Sequence, residues 1–536
     1  MVYQDPLIGI PPLYLVAVAF ITTALGLVIK SERFFKVFAS VAMALALVLT
    51  LYVLAKVGAE GTQLYFFGGY PAPLGIAYEV DRLSALLGVV ASAIMLLAVI
   101  YSVWYMAYPR LYLFYTLTAT LLAGSLGCLY TGDYFNFFVM LEVLTLSSYA
   151  LVAYFRDSPK AITAAIRYSF TGIISSSFYL LSAFIAYASF GTLNMADLAI
   201  KARDPASVLP FSGNIFGNIL MASAAIIALT LWTWTFEAAI FPNYFWFPDS
   251  LGEAPTPVSA AFAAVVDVVG VYGAIRLFYT ILGKGSVAEG IRSYALLALY
   301  ILGAVTAIIA SLLILVENDV KKFIAYSSVA HMGLLFMMLS LDTAMGISAA
   351  ILYFISVAFT DALMFFSSGI AVVAVGRSID DLRVLRRYRE AVLGFVIALL
   401  NLVGLPPLIG FWGKYLMFVA LLEKGGVIGA IGIIVLAVST LLIALRYLEI
   451  IGVLIPPVRK FEKRISVRED PRLRNLVIPY IVIEMCISIL IVLGVLYMAV
   501  PSFRDFIHSI GFVVTDPSTY YINSFVKELN IFMQGR

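Results

Sequence analysis

Glu390-Ala-Val-Leu-Gly-Phe-Val-Ile-Ala-Leu-Leu-Asn401-Leu-Val-Gly404-Leu405-Pro406-Pro407-Leu-Ile-Gly-Phe-Trp-Gly413-Lys414-Tyr-Leu-Met-Phe-Val-Ala-Leu-Leu422 holds only Glu390 and Lys414 as charges. About 20 apolar residues in a helix cross a hydrocarbon core of about 30 Å, so this stretch is long enough to span a membrane. Proline lacks an amide hydrogen and its ring clashes with the preceding turn, so Pro406 and Pro407 break the helix near its middle. Such a break is tolerated at membrane depth where the freed backbone lines a polar cavity, and in transporters it marks ion sites.

Runs of this kind recur along the whole chain. It has 536 residues, 63% of them hydrophobic and 12% charged, against about 25% charged in a soluble domain, which excludes an ordinary soluble enzyme. The spacing predicts about 14 spans, near 7–29, 35–56, 82–104, 111–131, 134–155, 161–190, 219–241, 257–282, 293–316, 322–341, 345–374, 390–422, 427–455 and 475–500. The fold class is therefore an all-α polytopic membrane protein. A second interruption falls in the seventh span, where Phe241-Pro242 sits inside an apolar run that continues to Trp246. Breaks in spans seven and twelve are the pattern an inverted five-helix duplication leaves.

The basic residues fall in alternate loops. Lys30, Arg33 and Lys36 flank the first; Arg156 and Lys160 the fifth; Arg377, Arg383, Arg386, Arg387 and Arg389 the eleventh; Arg459, Lys460, Lys463, Arg464, Arg468, Arg472 and Arg474 the thirteenth. The positive-inside rule then places both termini outside. A net charge of +3 in scattered clusters does not suit nucleic acid. Cys128 and Cys486 are far apart, and His331 and His508 are the only histidines, so no iron–sulfur, haem or zinc ligand set is expected on this chain. No cofactor is expected, and any redox centre belongs to another chain.

An ionisable group inside a membrane helix costs at least about 2.5 kcal/mol, so those present are functional candidates by default. Glu142 lies mid-span, Glu237 five residues before Pro242, Asp267 in span eight, His331 in span ten, Asp361 in span eleven, Lys414 after the twelfth-span break and Glu484 in the last span. The competing reading of each is a buried ion pair or a carboxylate bonded to backbone. No serine or cysteine has a histidine placed to activate it, so a hydrolase is not indicated. A series of titratable groups interleaved with hydroxyls suits ion transfer by hops.

The run Glu317-Asn-Asp319-Val-Lys321-Lys322-Phe-Ile-Ala325-Tyr326-Ser327-Ser328-Val-Ala-His331-Met332-Gly333 closely resembles the most recognisable segment of the antiporter-like subunits of respiratory complex I and of multisubunit cation/proton antiporters. So do Phe241-Pro242-Asn-Tyr244-Phe-Trp246-Phe-Pro248-Asp249 with Ala254-Pro255-Thr256-Pro257-Val258-Ser259-Ala260, Gly404-Leu405-Pro406-Pro407 with Gly413-Lys414, and Gly69-Tyr-Pro71-Ala-Pro73 with Asp81-Arg82-Leu83-Ser84. The likeness is strongest to the D-type antiporter subunit and its relatives in membrane-bound hydrogenase-type complexes. It implies two inverted five-helix repeats, each forming a half-channel. It also carries the family's key groups onto Glu142, Lys414, His331 and Lys321. Where the family has lysines in helices seven and eight, this chain has Glu237 and Val268, the latter beside Asp267. The family's eleventh-helix histidine and lysine fall on Val357 and Asp361.

These substitutions put acids where relatives carry bases, so two carboxylates share the first half-channel. One then keeps its proton, or a cation offsets the charge. Oxygen ligands from Glu142, Glu237 and Asp267 suit Na+. The resemblance divides the chain into an N-terminal part over 1–110, repeats over 111–282 and 293–455, and a cytoplasmic loop, last helix and tail over 456–536. It implies an ion-translocating subunit, moving H+ or exchanging it with Na+, in an energy-converting complex of the prokaryotic cell membrane. Its partners are other membrane subunits. The alternatives are a subunit of a stand-alone multisubunit antiporter, a non-conducting scaffold, and a solute carrier.

Overall fold

The computed structural model describes residues 5–72, 74–208, 218–455 and 468–534. Pro73 and the loop residues Arg459, Lys460, Lys463 and Arg464 lie outside them. Among the described residues, 13 helices are long and apolar enough to cross a membrane. The fourteenth predicted span is the twelfth in order, split as expected into two shorter helices. In chain order the elements are α1 (Ile10–Val28), α2 (Glu32–Glu60), β1 (Gln63–Phe66), β2 (Ala77–Val80), α3 (Arg82–Tyr105), α4 (Leu111–Tyr130), α5 (Tyr134–Val152), α6 (Pro159–Phe190) and a short α7 (Met195–Arg203). Then follow α8 (Ile219–Glu237), α9 (Trp246–Glu253), α10 (Thr256–Val265), α11 (Asp267–Ile275), α12 (Glu289–Val316), α13 (Val320–Leu339) and α14 (Ala344–Ala374). The chain ends with α15 (Arg389–Val403), α16 (Ile409–Lys424), α17 (Gly426–Leu454), α18 (Val477–Ala499), α19 (Pro501–Thr515) and α20 (Asn523–Gln534).

Helix starts follow the local sequence. Asp81, Asp133, Ser158, Asp319 and Thr343 each accept a backbone N–H of the first turn, which satisfies donors that have no partner within the helix. Because successive spans alternate in direction, the bundle has two ends. One carries the loops with Lys30, Arg156 and Arg377 and is called here the basic face. The other carries the chain start, the antiparallel β1–β2 pair and helices α19 and α20, and is called the hairpin face.

The order of packed neighbours repeats. Helix α4 packs on α5, α5 on α6 and α6 on α8; likewise α12 packs on α13, α13 on α14 and α14 on α16. The two series meet where α10 lies against α14. The most apolar windows of both Thr256–Ile281 and α14 are completely buried, whereas only about a third of those of α1, α2, α17 and α18 is buried. The centre of the molecule is thus the seam between the two series, and Asp267 and Asp361 are carried by the helices that form it.

Candidate functional site

The seventh span ends as a helix at Glu237, short of the expected 241, and resumes at Trp246 after an irregular segment. The backbone groups freed there find partners. Phe241 N donates to Thr306 Oγ1 (2.9 Å), Ile240 N to the Thr235 carbonyl (2.7 Å), and Trp246 Nε1 to the Phe236 carbonyl (3.2 Å). The Glu237 side chain is fully buried, and neither carboxylate oxygen has a hydrogen-bond partner among the described residues. A Cβ on Gly270 would stand 2.7 Å from Ala238 N and 2.9 Å from Glu237 C. Only glycine allows that approach, and Asp267, three residues earlier and so on the same helix face, is brought beside Glu237. Asp267 follows an irregular turn at Val266, is buried, and has both oxygens without partners.

Asp361 lies across the seam, also buried, with the Ser328 hydroxyl beside its carboxyl. Asp267 lies within electrostatic range of both Asp361 and Glu237, and Glu237 within range of Glu142. Tyr149 sits within range of both Glu142 and Glu237, and Tyr168 within range of Glu237 and Asp267. Their rings meet edge to face at 4.6 Å, and Ser148 Oγ donates to Tyr168 Oη at 3.1 Å. Glu142 itself, in the middle of α5, is half-buried. Glu142, Glu237 and Asp267, expected to share one Na+, are placed with Glu142 in range of Glu237 and Glu237 in range of Asp267. Among the described residues no group of three His, Cys, Asp or Glu side chains is close enough to hold a metal ion. The reason is that α5 turns Glu142 outward while the seam draws Asp267 toward Asp361.

Beyond Asp361 lies the second series. Ser328 faces Asp361 and lies one turn before His331 on α13. The Tyr353 hydroxyl is 2.8 Å from His331 Nδ1, and Ser327 bonds to Tyr447. His331 feels the charge of Lys414, whose Nζ donates to Thr440 Oγ1 (3.0 Å) and to the Val403 carbonyl (3.5 Å) at the open end of α15. An ammonium group at a helix C-terminus complements the partial negative charge there. Lys414, like Glu142, is half-buried.

Lys321 lies apart from these groups. It lies in the first turn of α13, ten residues or about 15 Å of helix from His331, and donates to the Ala254 carbonyl at the end of α9. Around it Arg377 pairs with Asp319 (3.0 Å) and Glu253 (2.9 Å), and Lys322 with Asp249 (2.6 Å), tying α9, α13 and the loop after α14 together at the basic face. Glu484 is exposed on α18.

Asn401 is a polar group that its sequence context alone does not single out. Its Nδ2 donates to Ser356 Oγ (2.8 Å) and Thr360 Oγ1 (2.7 Å) on α14, and its Oδ1 accepts from Gly410 N (2.8 Å) at the start of α16. One amide thus holds both halves of the broken helix against the seam. The signal in the sequence is a lone asparagine three residues before Gly404 in an otherwise apolar run.

Residues 131–442 match the family model described as NADH:quinone oxidoreductase/Mrp antiporter, TM, and residues 70–115 match that of the N-terminus of NADH-ubiquinone oxidoreductase (complex I) chain 5. The chain belongs to the NADH:quinone oxidoreductase/Mrp antiporter family. It is 32% identical over 395 residues to NADH-quinone oxidoreductase subunit N of Desulforudis audaxviator, covering 72% of this chain and 74% of that one. It is 30% identical over 389 residues to the D-type subunit of the Na(+)/H(+) antiporter of Bacillus subtilis, covering 72% and 75%. A chain of the membrane-bound sulfane sulfur reductase, an archaeal respiratory membrane complex, superposes with a TM-score of 0.84 at 26% identity, covering 96% and 99%. This antiporter-like subunit is thus a membrane protein whose structural relatives are subunits of multisubunit complexes.

Proposed function

We propose that this antiporter-like subunit conducts protons along the line Glu142, Glu237, Asp267, Asp361, His331 and Lys414, with Tyr149, Tyr168 and Tyr353 as hydroxyl bridges. The observation that carries this reading is the series of buried ionisable side chains at the seam, among which Glu237 and Asp267 have carboxylate oxygens with no hydrogen-bond partner among the described residues. Adjacent carboxylates in a low-dielectric interior do not all ionise, so protons are the simplest charge they exchange. Lys321 lies beside the ion pairs of Arg377 and Lys322, whose charges would guide ions to the basic face. The half-buried positions of Glu142 and Lys414 put the two ends of the line at the sides of the chain, where neighbouring subunits of a complex would cover them.

The near full-length likeness to the sulfane sulfur reductase chain favours a complex driven by electron transfer on other subunits, and the basic loops favour a cytoplasmic basic face in a prokaryotic cell membrane. The matching neighbour orders of α4–α8 and α12–α16 support two inverted repeats. The second reading, exchange of Na+ for H+, is favoured by the likeness to the D-type Na(+)/H(+) antiporter chain. The test is H+ movement by the assembled complex in closed vesicles, with Na+ varied at fixed pH, for wild type, Glu237→Gln and Asp361→Asn. Loss of H+ movement in both variants with assembly intact is expected. Wild-type rates in both would end the proposal, and a rate that follows Na+ would favour the second reading.

A further inference from the structure

A second group of buried charges lies toward the hairpin face, away from the line described above. Asp81 caps α3, its Oδ1 accepting from Ser84 N at 3.0 Å, and its Oδ2 pairs with Arg276 Nη2 at 2.7 Å. Both side chains are almost fully buried. Arg276 Nε donates to Tyr272 Oη at 2.8 Å, and the guanidinium stands 4.8 Å and 4.5 Å from the ring centres of Tyr272 and Tyr521. One positive charge is therefore committed to one negative charge.

Glu79 is left over. It lies on β2, opposite Leu64 of β1, and is fully buried, with the Tyr521 hydroxyl beside its carboxyl. Tyr521, from the segment between α19 and α20, is buried too, and its hydroxyl faces the Glu79 carboxyl. Both reach the same spot beside Gly132, where a Cβ would come 3.0 Å from Glu79 Cβ and 3.4 Å from Tyr521 Oη. The charged or titratable groups that face Glu79 are Asp81 at the start of α3, Tyr272 and Arg276 on the eighth span, and Tyr521 on the C-terminal segment. Burial holds the Glu79 carboxyl well above the ordinary carboxylate range, with Arg276 pulling the other way and Asp81 adding to the rise.

We propose that Glu79 is a proton-binding site through which the first series of helices exchanges protons with the hairpin face. It rests on the reading of the chain as a proton conductor. The eighth span links the two regions: Asp267 is near its middle, at the start of α11, with Tyr272 five residues on and Arg276 four residues beyond that, toward the hairpin face. A proton leaves the Asp267 carboxyl and reaches the Glu79 carboxylate through water and the Tyr272 hydroxyl, one O–H bond breaking for each that forms. Glu79 then gives its proton to water at the hairpin face, and the fixed charge of Arg276 stabilises the carboxylate that remains. No electron moves. The C-terminal segment, through Tyr521, covers the site and faces the proton that Glu79 holds.

The test measures H+ movement by the assembled complex in closed vesicles across a range of pH, for Glu79→Gln and Glu79→Asp, with Glu237→Gln as reference. Glu79→Gln keeps the shape of the neutral acid but binds no exchangeable proton, and its rate falls by roughly 100-fold, as for loss of an acid–base group. Glu79→Asp retains most of the rate with a displaced pH profile. A wild-type rate in Glu79→Gln alongside a block in Glu237→Gln overturns this role while leaving the conduction reading in place. Wild-type rates in both overturn the two together. Equal loss in Glu79→Gln and Glu79→Asp also overturns it, since side-chain shape and not titration is then what matters. Should Glu79→Gln not assemble, Tyr521→Phe removes only the facing hydroxyl: a displaced pH profile supports the site and an unchanged one overturns it.

Discussion

The hydroxyl of Tyr353 lies 2.8 Å from Nδ1 of His331, while Nε2 of the same ring has no hydrogen-bond partner among the described residues. The bond orients the ring and leaves one nitrogen to exchange a proton along the line between Asp361 and Lys414. His331→Gln preserves polarity without titration, so H+ movement in the assembled complex should fall by roughly 100-fold and its pH profile should flatten. Tyr353→Phe leaves Nδ1 without its partner, at a cost of about 1–3 kcal/mol, and should lower the melting temperature as well as the rate. Wild-type profiles in both would reduce His331 to a packing role.

Glycine at 270 sets the distance between the first two buried acids. A methyl group there would press on the Ala238 amide and the Glu237 carbonyl carbon, both backbone atoms that cannot rotate away. Gly270→Ala should destabilise the protein by about 1–3 kcal/mol and part Asp267 from Glu237. Thermal unfolding in detergent, read beside H+ movement in vesicles, checks it. Unchanged stability and rate would mean that the contact yields easily.

The sequence carried the architecture because membrane spans and proline breaks are local signals. Pro242 and Pro406-Pro407 located both interruptions to within a few residues, and Glu142, His331 and Lys414 stood out as charges in apolar runs. What stayed hidden depends on packing between distant helices. Asp267 and Asp361 come from different helical series and meet only because α10 lies on α14. The outward turn of Glu142 depends on which face of α5 has neighbours. Chain order put His331 between Lys321 and Lys414, but order says nothing of depth, and Lys321 belongs to the basic face. Asn401 passed as one polar residue in a helix until its three bonds were visible.

Asp133 gives a pH dependence outside the spans. It caps α5 from the loop after α4, accepting Asn136 N at 2.7 Å. Burial pushes its carboxyl up to about 6 from 3.8, with the backbone N–H groups of Asn136 and Phe135 pulling the other way. A raised folded-state value means that the folded protein binds more protons than the unfolded chain between those limits. This contribution is therefore fully present below about pH 4 and is lost as pH rises to about 6, by at most about 3 kcal/mol. Asp133→Asn keeps a good cap and abolishes the titration. The fall in melting temperature from pH 4 to pH 7 should be smaller in the variant than in wild type, and equal falls would refute the assignment.

Lys414 tests whether the line needs a group that gives up its proton. Its ammonium group bonds Thr440 Oγ1 and the freed Val403 carbonyl, and its charge reaches His331. Lys414→Ala removes charge and bonds alike, so H+ movement should fall by about 100-fold or more. Lys414→Arg is the sharper variant, since a guanidinium keeps the positive charge and can bond the same carbonyl but does not deprotonate in proteins. If Lys414 serves only as a fixed charge for His331 and the end of α15, arginine should restore the rate. If it relays protons, arginine should fail as alanine does while assembly and melting temperature stay near wild type. Conduction by a proton-relaying Lys414 predicts the second result, and a working Lys414→Arg complex would leave His331 as the last titrating group of the line.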